Sequence, residues 1–472
     1  MKKWLMAMLA VTALLSVACG AKNKETTVEN EGDSTPTTAV AGPESAKWGD
    51  LDSPCGKGSY SIQADQAGKG ADKLYIGVAS DKGSEIRPGL NKEMFDGSVA
   101  FAQWCNDQGG IGGLQIEPVD IDGKLLSVEQ AMATACAEVF MMVGGGFAQD
   151  DLEFSGKDGS DFHKCGLADV PGFAVSVKKA NSNGQVQPIP HPAYTTGTTW
   201  LQDFKKVYPE EAEKSFIVWG DLPSLQLIRD QFKAGAAATD IEVVGDEGYP
   251  PVGVADWTPL AQKVIESGAG SMYFVGEPTN LSSLLAKLKE QGWKGKAILE
   301  TNMYDATLFS AGPNVADGAV IRTAIHMFEE ADKWPAVKQF EENLKAQLPD
   351  GKQALLGMQS TSAWLLFATA ANDCAKANDN VLERNCVLKA ASAVSDWTGG
   401  GIHGTTDPAG GADAIPPTCN TLIEVKDGKF TRLYPKIGGD DDDLDGFHCP
   451  DDAIAKVPED FGQGAVDPSR PI

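Results

Sequence analysis

Short apolar runs alternate with amphipathic segments through most of the chain after residue 70. Residues 74–79 form an apolar run typical of a buried strand, and residues 91–107 place their large apolar side chains near helical spacing. A glycine cluster at residues 109–113 ends this predicted helix. Strands that alternate with helices predict an α/β protein with parallel sheets and helices on both faces.

The same pattern predicts the remaining elements. Further strands are predicted at residues 114–120, 140–143, 215–219, 241–245, 271–275, 297–300, 421–425 and 429–433. Further helices are predicted at residues 128–139, 200–208, 224–237, 259–267, 281–291, 336–348 and 359–375. Three prolines within residues 187–192 interrupt the series, which indicates two α/β lobes linked by an extended crossover.

The first residues are typical of an export signal. Lys2 and Lys3 precede an apolar run over residues 4–15, which is too short to span a bilayer. Small residues then lead to Cys19, as in bacterial lipoprotein signals, where this cysteine carries the lipid. The alternative is an ordinary cleaved signal with an incidental cysteine. Residues 20–50 are poor in large apolar side chains and predict a flexible tether.

Charge and length narrow the class of protein. The formal net charge is −26, and it becomes −28 once Lys2 and Lys3 leave with the signal. This acidity argues against nucleic acid or an anionic membrane surface as a partner. No later segment is apolar enough to span a membrane. The remaining chain of roughly 400 residues is long enough for two lobes.

The cysteine count supports export. One of the nine cysteines is Cys19, and an even number in the rest of an exported chain indicates four disulfides. Eight cysteines allow about 105 pairings, so counting alone leaves the connectivity open. No two cysteines show the two-residue spacing of a zinc site.

Several segments resemble, in their order along the chain, the substrate-binding proteins of branched-chain amino-acid ABC importers, which are type I periplasmic binding proteins. They are Ile76-Gly77-Val78, residues 104–113, Val170-Pro171, residues 214–219 and residues 255–260, which read Ala-Asp-Trp-Thr-Pro-Leu. The resemblance spans residues 72–435. It implies two Rossmann-like lobes with parallel central sheets, a hinge of three crossings, and a ligand cleft that closes between the lobes.

The signal, the tether, this resemblance and the acidic end together divide the chain into seven segments. They are a lipoprotein-type signal (1–18), a tether and N-terminal arm (19–70), lobe I (71–192), lobe II (193–322), a return to lobe I (323–400), a return to lobe II and the hinge (401–436), and an acidic, irregular tail (437–472).

Residues that follow strand ends are the candidate ligand contacts, because ligands of open parallel sheets bind beyond the carboxyl ends of the strands. In lobe I they are Ser80, Gly146, Phe147, Ala148, Ser176 and Val177; in lobe II they are Asp221, Glu277, Glu300, Asn302 and Tyr304. In amino-acid-binding relatives, lobe I holds the ligand carboxylate and an acid of lobe II holds the ammonium. The resemblance assigns the first role to Ser176 and the backbone of residues 146–148, and the second to Glu277 or Glu300.

One loop departs from the family pattern. Where relatives carry Ser and Thr, residues 144–149 read Gly-Gly-Gly-Phe-Ala-Gln. Glycines are expected to leave backbone N–H groups open, and Phe147 is expected either to wall the ligand or to pack in the core. The alternative interpretation of Glu277 and Glu300 is that both are solvated acids at the edges of loops. The ligand class therefore stays open among amino acids, amides, urea-like molecules and aromatic acids.

The expected fold also implies a disulfide scheme. Helices that follow the second and third strands share one face of the sheet under right-handed crossovers. The implied pairs are Cys136–Cys165, Cys374–Cys386, Cys419–Cys449 and Cys55–Cys105.

Metal binding and catalysis are poorly supported. Asp441, Asp443, Asp445, Gly446 and Asp452 have the spacing of a calcium loop, but an acidic, solvated tail is the favoured interpretation. The five histidines form no close motif, and nucleophile-elbow and nucleotide-binding glycine motifs are missing. The sequence therefore predicts no cofactor and no enzyme.

These observations predict an exported, lipid-anchored, monomeric protein that binds a small polar solute and delivers it to an ABC importer permease. A sensor ectodomain and an enzyme or adhesin on a two-lobe scaffold are the alternatives.

Overall fold

Two β-sheets flanked by helices form the framework of the protein in this computed structural model. The structure describes residues 46–152, 161–462, 464, 466–468 and 470. The predicted signal, Cys19 and the first part of the predicted tether lie outside the described residues. Every helix within them is too short or too polar to cross a bilayer.

The strands are numbered in chain order. They are β1 Lys47–Trp48, β2 Leu51–Asp52, β3 Ser61–Ile62, β4 Leu74–Ser80, β5 Ile116–Asp122, β6 Met141–Val143, β7 Asp169–Val170, β8 Thr195–Gly197, β9 Lys214–Gly220, β10 Glu242–Tyr249, β11 Ser271–Val275, β12 Lys296–Leu299, β13 Val320–Thr323, β14 Val381–Leu382, β15 Thr421–Lys426, β16 Lys429–Tyr434 and β17 Ile454–Lys456.

The α-helices are numbered in the same way. They are α1 Lys92–Asp107, α2 Val128–Glu138, α3 Asp161–Lys164, α4 Val177–Ala180, α5 Thr199–Val207, α6 Gln226–Ala238, α7 Thr258–Glu266, α8 Pro278–Glu290, α9 Pro335–Gln347, α10 Leu355–Ala377 and α11 Arg384–Ser392. Short 3-10 turns occupy Ala64–Gln66, Pro223–Leu225, Thr301–Met303, Ala306–Phe309 and Phe328–Glu330.

The first sheet has the order β5-β4-β6-β7, and its strands are all parallel. Its central strand β4 is buried along its whole length, as expected for a strand covered on both faces. Leu74, Ile76 and Val78 point towards α1 and α10, whereas Tyr75 and Ala79 pack with α2. The alternation of side chains along an extended strand thus divides one apolar run between two layers of helices.

The second sheet has the order β10-β9-β11-β12-β13-β15-β16. Its first five strands are parallel, and β15 and β16 extend it as an antiparallel hairpin. One face carries α7 and α8, and the other carries α5 and α6. On the latter face, the rings of Phe232 and Tyr273 stack with centroids 3.9 Å apart.

The chain crosses between the two sheets three times, between α4 and α5, between β13 and α9, and between α11 and β15. Helices α9, α10 and α11 return to the first lobe, where α10 packs on α1 and places the rings of Trp364 and Phe101 5.4 Å apart. This is the two-lobe α/β architecture with three crossings that the resemblance implies.

Several details differ from the sequence expectations. Strand β5 starts two residues later than predicted, because Leu114 forms a tight bridge with Ile111 around two glycines of positive φ. Strand β13 was not predicted, and helix α10 begins at Leu355 rather than at residue 359. The tail is not wholly irregular, since β17 pairs with β8 in the first crossing.

Four disulfides fasten the described residues. They join Cys55 to Cys105, Cys136 to Cys165, Cys374 to Cys386, and Cys419 to Cys449, the pairs that the resemblance implies.

Candidate functional site

The carboxyl ends of both parallel sheets face one cavity of about 250 Å³. Lobe I contributes Leu125 after β5, Ala148 after β6 and residues 173–175 after β7. Lobe II contributes residues 275–277 after β11 and residues 300–302 after β12. The cavity therefore occupies the position at which open α/β sheets bind ligands.

Most of the cavity wall is apolar. Its apolar side chains come from both lobes and from the crossings: Leu90, Leu125, Phe173, Val175, Ile189, Pro190, Leu222, Leu225, Ile228, Pro251, Val275, Ile325, Leu356, Pro416 and Pro417. Polar and charged side chains interrupt this wall, among them Arg87, His191 and Glu277, an arrangement typical of small-molecule sites.

A second cavity of about 230 Å³ adjoins the first at Arg87, Glu277 and Asn302, which line both. Its other charged residues are Glu93, Asp305 and Lys352. The Lys352 ammonium lies 2.8 Å from a carboxylate oxygen of Glu93 in lobe I and 2.8 Å from one of Asp305 in lobe II. This ion-pair triad joins the two lobes beside the cavity.

Arg87 also reaches across the cleft. Its Nη2 donates to the Pro251 carbonyl oxygen at 3.0 Å and to Asn280 Oδ1 at 3.2 Å, both in lobe II. Its Nε is buried and has no acceptor among the described residues. The guanidinium thus serves as a contact between the lobes.

Two buried carboxylates of lobe I accept hydrogen bonds from backbone N–H groups at or beside the cavity wall. Asp81 accepts the N–H groups of Ala148 and Leu125, each at 2.7 Å. Asp150 accepts the N–H groups of Val175 at 2.7 Å and Ser176 at 2.9 Å. Burial raises the pKa of Asp81 to about 6 despite these hydrogen bonds, and burial likewise raises the pKa of Asp150.

These contacts correct the expected carboxylate site of lobe I. Ser176 is 2 % exposed, and its Oγ accepts the Lys179 N–H as the N-cap of α4. The N–H of Ala148 is already bonded to Asp81, and the N–H of Gly146 donates to the Ala79 carbonyl oxygen at 3.0 Å. A ligand carboxylate would therefore meet the Asp81 and Asp150 carboxylates at the backbone N–H groups that were expected to bind it.

The glycines of this loop have a packing role. A Cβ on Gly145 would lie 2.2 Å from the backbone nitrogen of Ala79, and one on Gly144 would lie 2.6 Å from Trp364 Nε1. The loop needs glycine because the backbone approaches its neighbours closely, so the expectation of open N–H groups is wrong. Phe147 is fully buried in the core beside α2, which is the second of its two expected roles.

Glu300 is engaged within lobe II. Arg322 binds its carboxylate in a bidentate manner, with Nε to Oε1 at 3.0 Å and Nη2 to Oε2 at 2.7 Å, and the Tyr273 hydroxyl donates to it as well. The Arg322 guanidinium in turn lies 5.1 Å from the ring centroid of Trp200. Glu300 lines the cavity, but its charge is already neutralised.

Glu277 is different. It lines both cavities, and its carboxylate has no hydrogen-bond or ion-pair partner among residues 46–152 and 161–462. Burial, followed by the nearby Glu93 carboxylate, raises the pKa of Glu277 to about 7, although Arg87 and Lys352 oppose this. Of the two acids expected to hold a ligand cation, the structure leaves Glu277 available.

The remaining predicted residues divide into two groups. Ala148 and Asn302 line the cavity, and Asn302 Nδ2 donates to the Gly276 carbonyl oxygen at 2.9 Å. Six others do not line it: Ser80, Gly146, Phe147 and Tyr304 are buried, Val177 packs beside α6, and Asp221 is exposed.

Several cavity residues escaped sequence reasoning. His191 lies in the proline-rich crossover; its Nδ1 is 2.8 Å from the Ala174 carbonyl oxygen and its Nε2 is 2.7 Å from Gln231 Oε1. Arg87 and Arg322 carried no motif, and Pro416 and Pro417 belong to the third crossing. The proline-rich segment at residues 187–192 was the one sequence feature that could have indicated that His191 lies in a crossing between the lobes.

The tail carries no metal cluster in the described part of the chain, where no group of three or more His, Cys, Asp or Glu side chains is placed to hold an ion. Asp441 lies 2.8 Å from the Lys206 ammonium, and Asp443 accepts the Cys449 N–H. These carboxylates face protein donors.

A family model described as "Periplasmic binding protein" matches residues 73–429. No curated protein sequence gives a significant match.

Solved structures share the fold at low sequence identity. The leucine-binding protein LivK from Thermotoga maritima is 13% identical, with a TM-score of 0.61 over 76% of this chain and 98% of that chain. LivJ from Streptococcus pneumoniae, in complex with isoleucine, is 14% identical, with a TM-score of 0.59 over 77% of this chain and 100% of that chain. A fatty acid ABC transporter substrate-binding protein from Thermomonospora curvata is 15% identical, with a TM-score of 0.62 over 78% and 92%.

Proposed function

Since the chain belongs to the periplasmic binding protein family, we propose that it captures a small solute in the cleft between its lobes and delivers it to an ABC importer. The observation that carries this proposal is the cavity at the carboxyl ends of both sheets, with walls from both lobes. Contacts of Arg87 and Lys352 across the cleft support closure by a hinge.

The apolar wall favours a solute with an apolar body over purely polar solutes such as urea. Burial of apolar surface stabilises a complex by about 25 cal/mol per Å², so a ligand with an apolar body gains more binding free energy from this wall than a purely polar ligand does. Relatives described as binding leucine, isoleucine or fatty acids are consistent with such a body. The capture itself involves no chemical change of the solute.

A solute screen with a blocked variant tests the proposal. We expect a ligand to raise the thermal midpoint of the purified protein and to reduce its radius of gyration in solution scattering. Ala324→Phe fills the cavity and should abolish both effects, whereas Ala237→Phe, on the exposed face of α6, should retain them. The proposal fails when no solute shifts the midpoint, or when both variants respond alike.

We further propose that the protein is exported, anchored through a lipid on Cys19, and monomeric. The supporting observations are the signal and the small residues before Cys19. Metabolic labelling with an alkyne fatty acid should tag the wild-type protein and leave Cys19→Ser unlabelled in the soluble fraction. Equal labelling of both proteins would contradict the anchor.

A further inference from the structure

Arg87 stands where the two cavities meet, and its positive charge has no counter-ion there. The residue belongs to the loop between β4 and α1, and it lines both the apolar cavity and the charged one. Its Nη2 donates to two neutral oxygens of lobe II, the Pro251 carbonyl at 3.0 Å and Asn280 Oδ1 at 3.2 Å. No carboxylate of the described residues forms an ion pair with this guanidinium.

Two nitrogens of the Arg87 guanidinium remain for a ligand. Nε is buried and has no acceptor in the part of the chain that the structure describes. Nη1 lies 3.5 Å from the carbonyl oxygen of the preceding residue, Ile86, which is the outer limit of a hydrogen bond. A buried donor without an acceptor costs free energy, so an oxygen acceptor on a ligand would be favoured here. A carboxylate matches the planar fork of a guanidinium best.

Other groups that could bind an anion at the cavity wall are already engaged. The backbone N–H groups of Ala148 and Val175 donate to internal carboxylates. The Arg322 guanidinium is held by Glu300, and the Lys352 ammonium is shared between two acids. Arg87 is therefore the anion-binding group that these contacts leave open.

We propose that the ligand is a monocarboxylate with an apolar body, and that its carboxylate binds Arg87 at the junction of the two cavities. The apolar body fills the larger cavity, whose wall is mostly apolar. Glu277 lines both cavities at the same junction, and its protonated carboxyl group donates a hydrogen bond to the ligand carboxylate. This inference rests on the proposed function and names the class of its solute. It gives Glu277 the role of a donor to an anion, the opposite of holding an ammonium.

The protonated state of Glu277 gives binding a pH signature. Burial raises the pKa of Glu277 to about 7, and the nearby Glu93 carboxylate adds to this. The titratable and charged groups that face Glu277 are Arg87, Glu93, Tyr249, Asp305 and Lys352. A ligand carboxylate beside Glu277 favours the protonated form further, so binding takes up a proton. The affinity is therefore fully present below pH 7 and falls as the pH rises above 7.

Four probes with six carbon atoms separate the ligand classes: hexanoate, hexanol, hexylamine and leucine. Binding to the purified protein is measured by calorimetry at pH 6, where hexanoate is an anion. We expect hexanoate to bind at least about tenfold more tightly than the other three, since one charge-assisted contact gives about that factor. At pH 8 hexanoate should bind about tenfold more weakly than at pH 6, because the protonated fraction of Glu277 falls by about that factor.

Glu277→Gln keeps a hydrogen-bond donor in place and removes the titration. We expect this variant to bind hexanoate equally at pH 6 and pH 8, and at pH 8 about tenfold more tightly than wild type. A site that uses Glu277 to hold an ammonium would show no such gain. Glu290→Gln, an exposed acid at the end of the same helix, is the matched control and should behave as wild type.

Arg87→Gln removes the positive charge at the junction. We expect the ratio of hexanoate to hexanol affinity to fall about tenfold at pH 6. The ratio is the readout because any loss of cleft closure weakens both ligands alike. Lys124→Gln is the control for the loss of a positive charge in lobe I, since Lys124 is exposed and lines neither cavity.

The remaining outcomes overturn the carboxylate proposal in distinguishable ways. Tightest binding by hexylamine or leucine would replace the ligand class but retain solute capture. An unchanged affinity ratio in Arg87→Gln would remove Arg87 as the anchor, and hexanoate binding to wild type that does not vary with pH would remove the proton on Glu277. Failure of hexanoate to bind would reject the monocarboxylate class, while the broader solute screen decides separately whether the cleft binds solutes at all.

Discussion

Asp150 provides a direct test of how lobe I is built. Its carboxylate is 1 % exposed and accepts the N–H groups of Val175 and Ser176 at 2.7 and 2.9 Å. Asp150→Ala removes this acceptor and leaves two donors at the edge of the ligand cavity. The substitution thus re-creates the open backbone donors that the sequence led us to expect.

The magnitude follows from the two lost hydrogen bonds. A hydrogen bond to a charged group contributes about 1.5–3 kcal/mol, so two contribute roughly 3–6 kcal/mol. Burial raises the pKa of Asp150, which means that the buried charge itself costs stability, and removing the charge offsets part of the loss. We expect Asp150→Ala to lower the free energy of unfolding by about 2–4 kcal/mol.

Formate should repair this variant, because it has the carboxylate that the substitution deletes. In urea unfolding, formate at about ten times its dissociation constant should restore about 1.4 kcal/mol. Asp151→Ala is the control, since the Asp151 carboxylate accepts no hydrogen bond in the described residues. A loss below about 1 kcal/mol, or equal formate effects on both variants, would refute the reasoning.

Three further predictions concern charge, closure and cross-links. Burial raises the pKa of Glu277 to about 7 in the folded protein, where Arg87, Glu93, Asp305 and Lys352 face its carboxylate. Ionisation of Glu277 therefore costs folding stability as the pH rises from about 4.5 to 7. In thermal unfolding, Glu277→Gln should be more stable than wild type at pH 8 and equal to it at pH 4. The ion pair between Lys352 and Asp305 joins the two lobes. Lys352→Met should therefore weaken binding of the tightest solute from the screen about tenfold and enlarge the radius of gyration of the complex. An unchanged radius of gyration in solution scattering would contradict this role. Reduction of the disulfides should lower the free energy of unfolding by roughly 2–5 kcal/mol for each bridge, and peptide mapping without reductant should recover the four pairs.

The fold was largely predictable because its information is local. The apolar run at Ser271–Val275 coincides with β11, and the Asp427-Gly428 turn was enough to predict the hairpin of β15 and β16. The short strand Val320–Thr323 was missed, since four residues that include Arg322 give no periodic signal. Local pattern thus determined most of the elements and their order.

The site was less predictable because it depends on distant contacts. Asp81 caps Ala148 from 67 residues away, and Asp150 caps Ser176 from 26 residues away. No local motif marks a carboxylate as the internal partner of a backbone N–H. The sequence therefore placed the cavity correctly beyond the strand ends, but the N–H groups that it predicted to be free for a ligand are bonded to Asp81 and Asp150. Glu277 and Glu300 follow neighbouring strands, yet only the tertiary position of Arg322 distinguishes their charges.

The pairing of β17 with β8 has a consequence for measuring closure. Thr195, Thr196 and Gly197 of β8 line the cavity, and β17 backs them as a second strand that is tied to the third crossing through the Cys419–Cys449 bridge. The rear wall of the cleft is thus a two-stranded ribbon linked to two crossings, and we expect bending at one crossing to be transmitted to the other. A fluorophore on Ile454, which is 38% exposed on that ribbon, would report hinge motion from outside the cavity without obstructing the ligand.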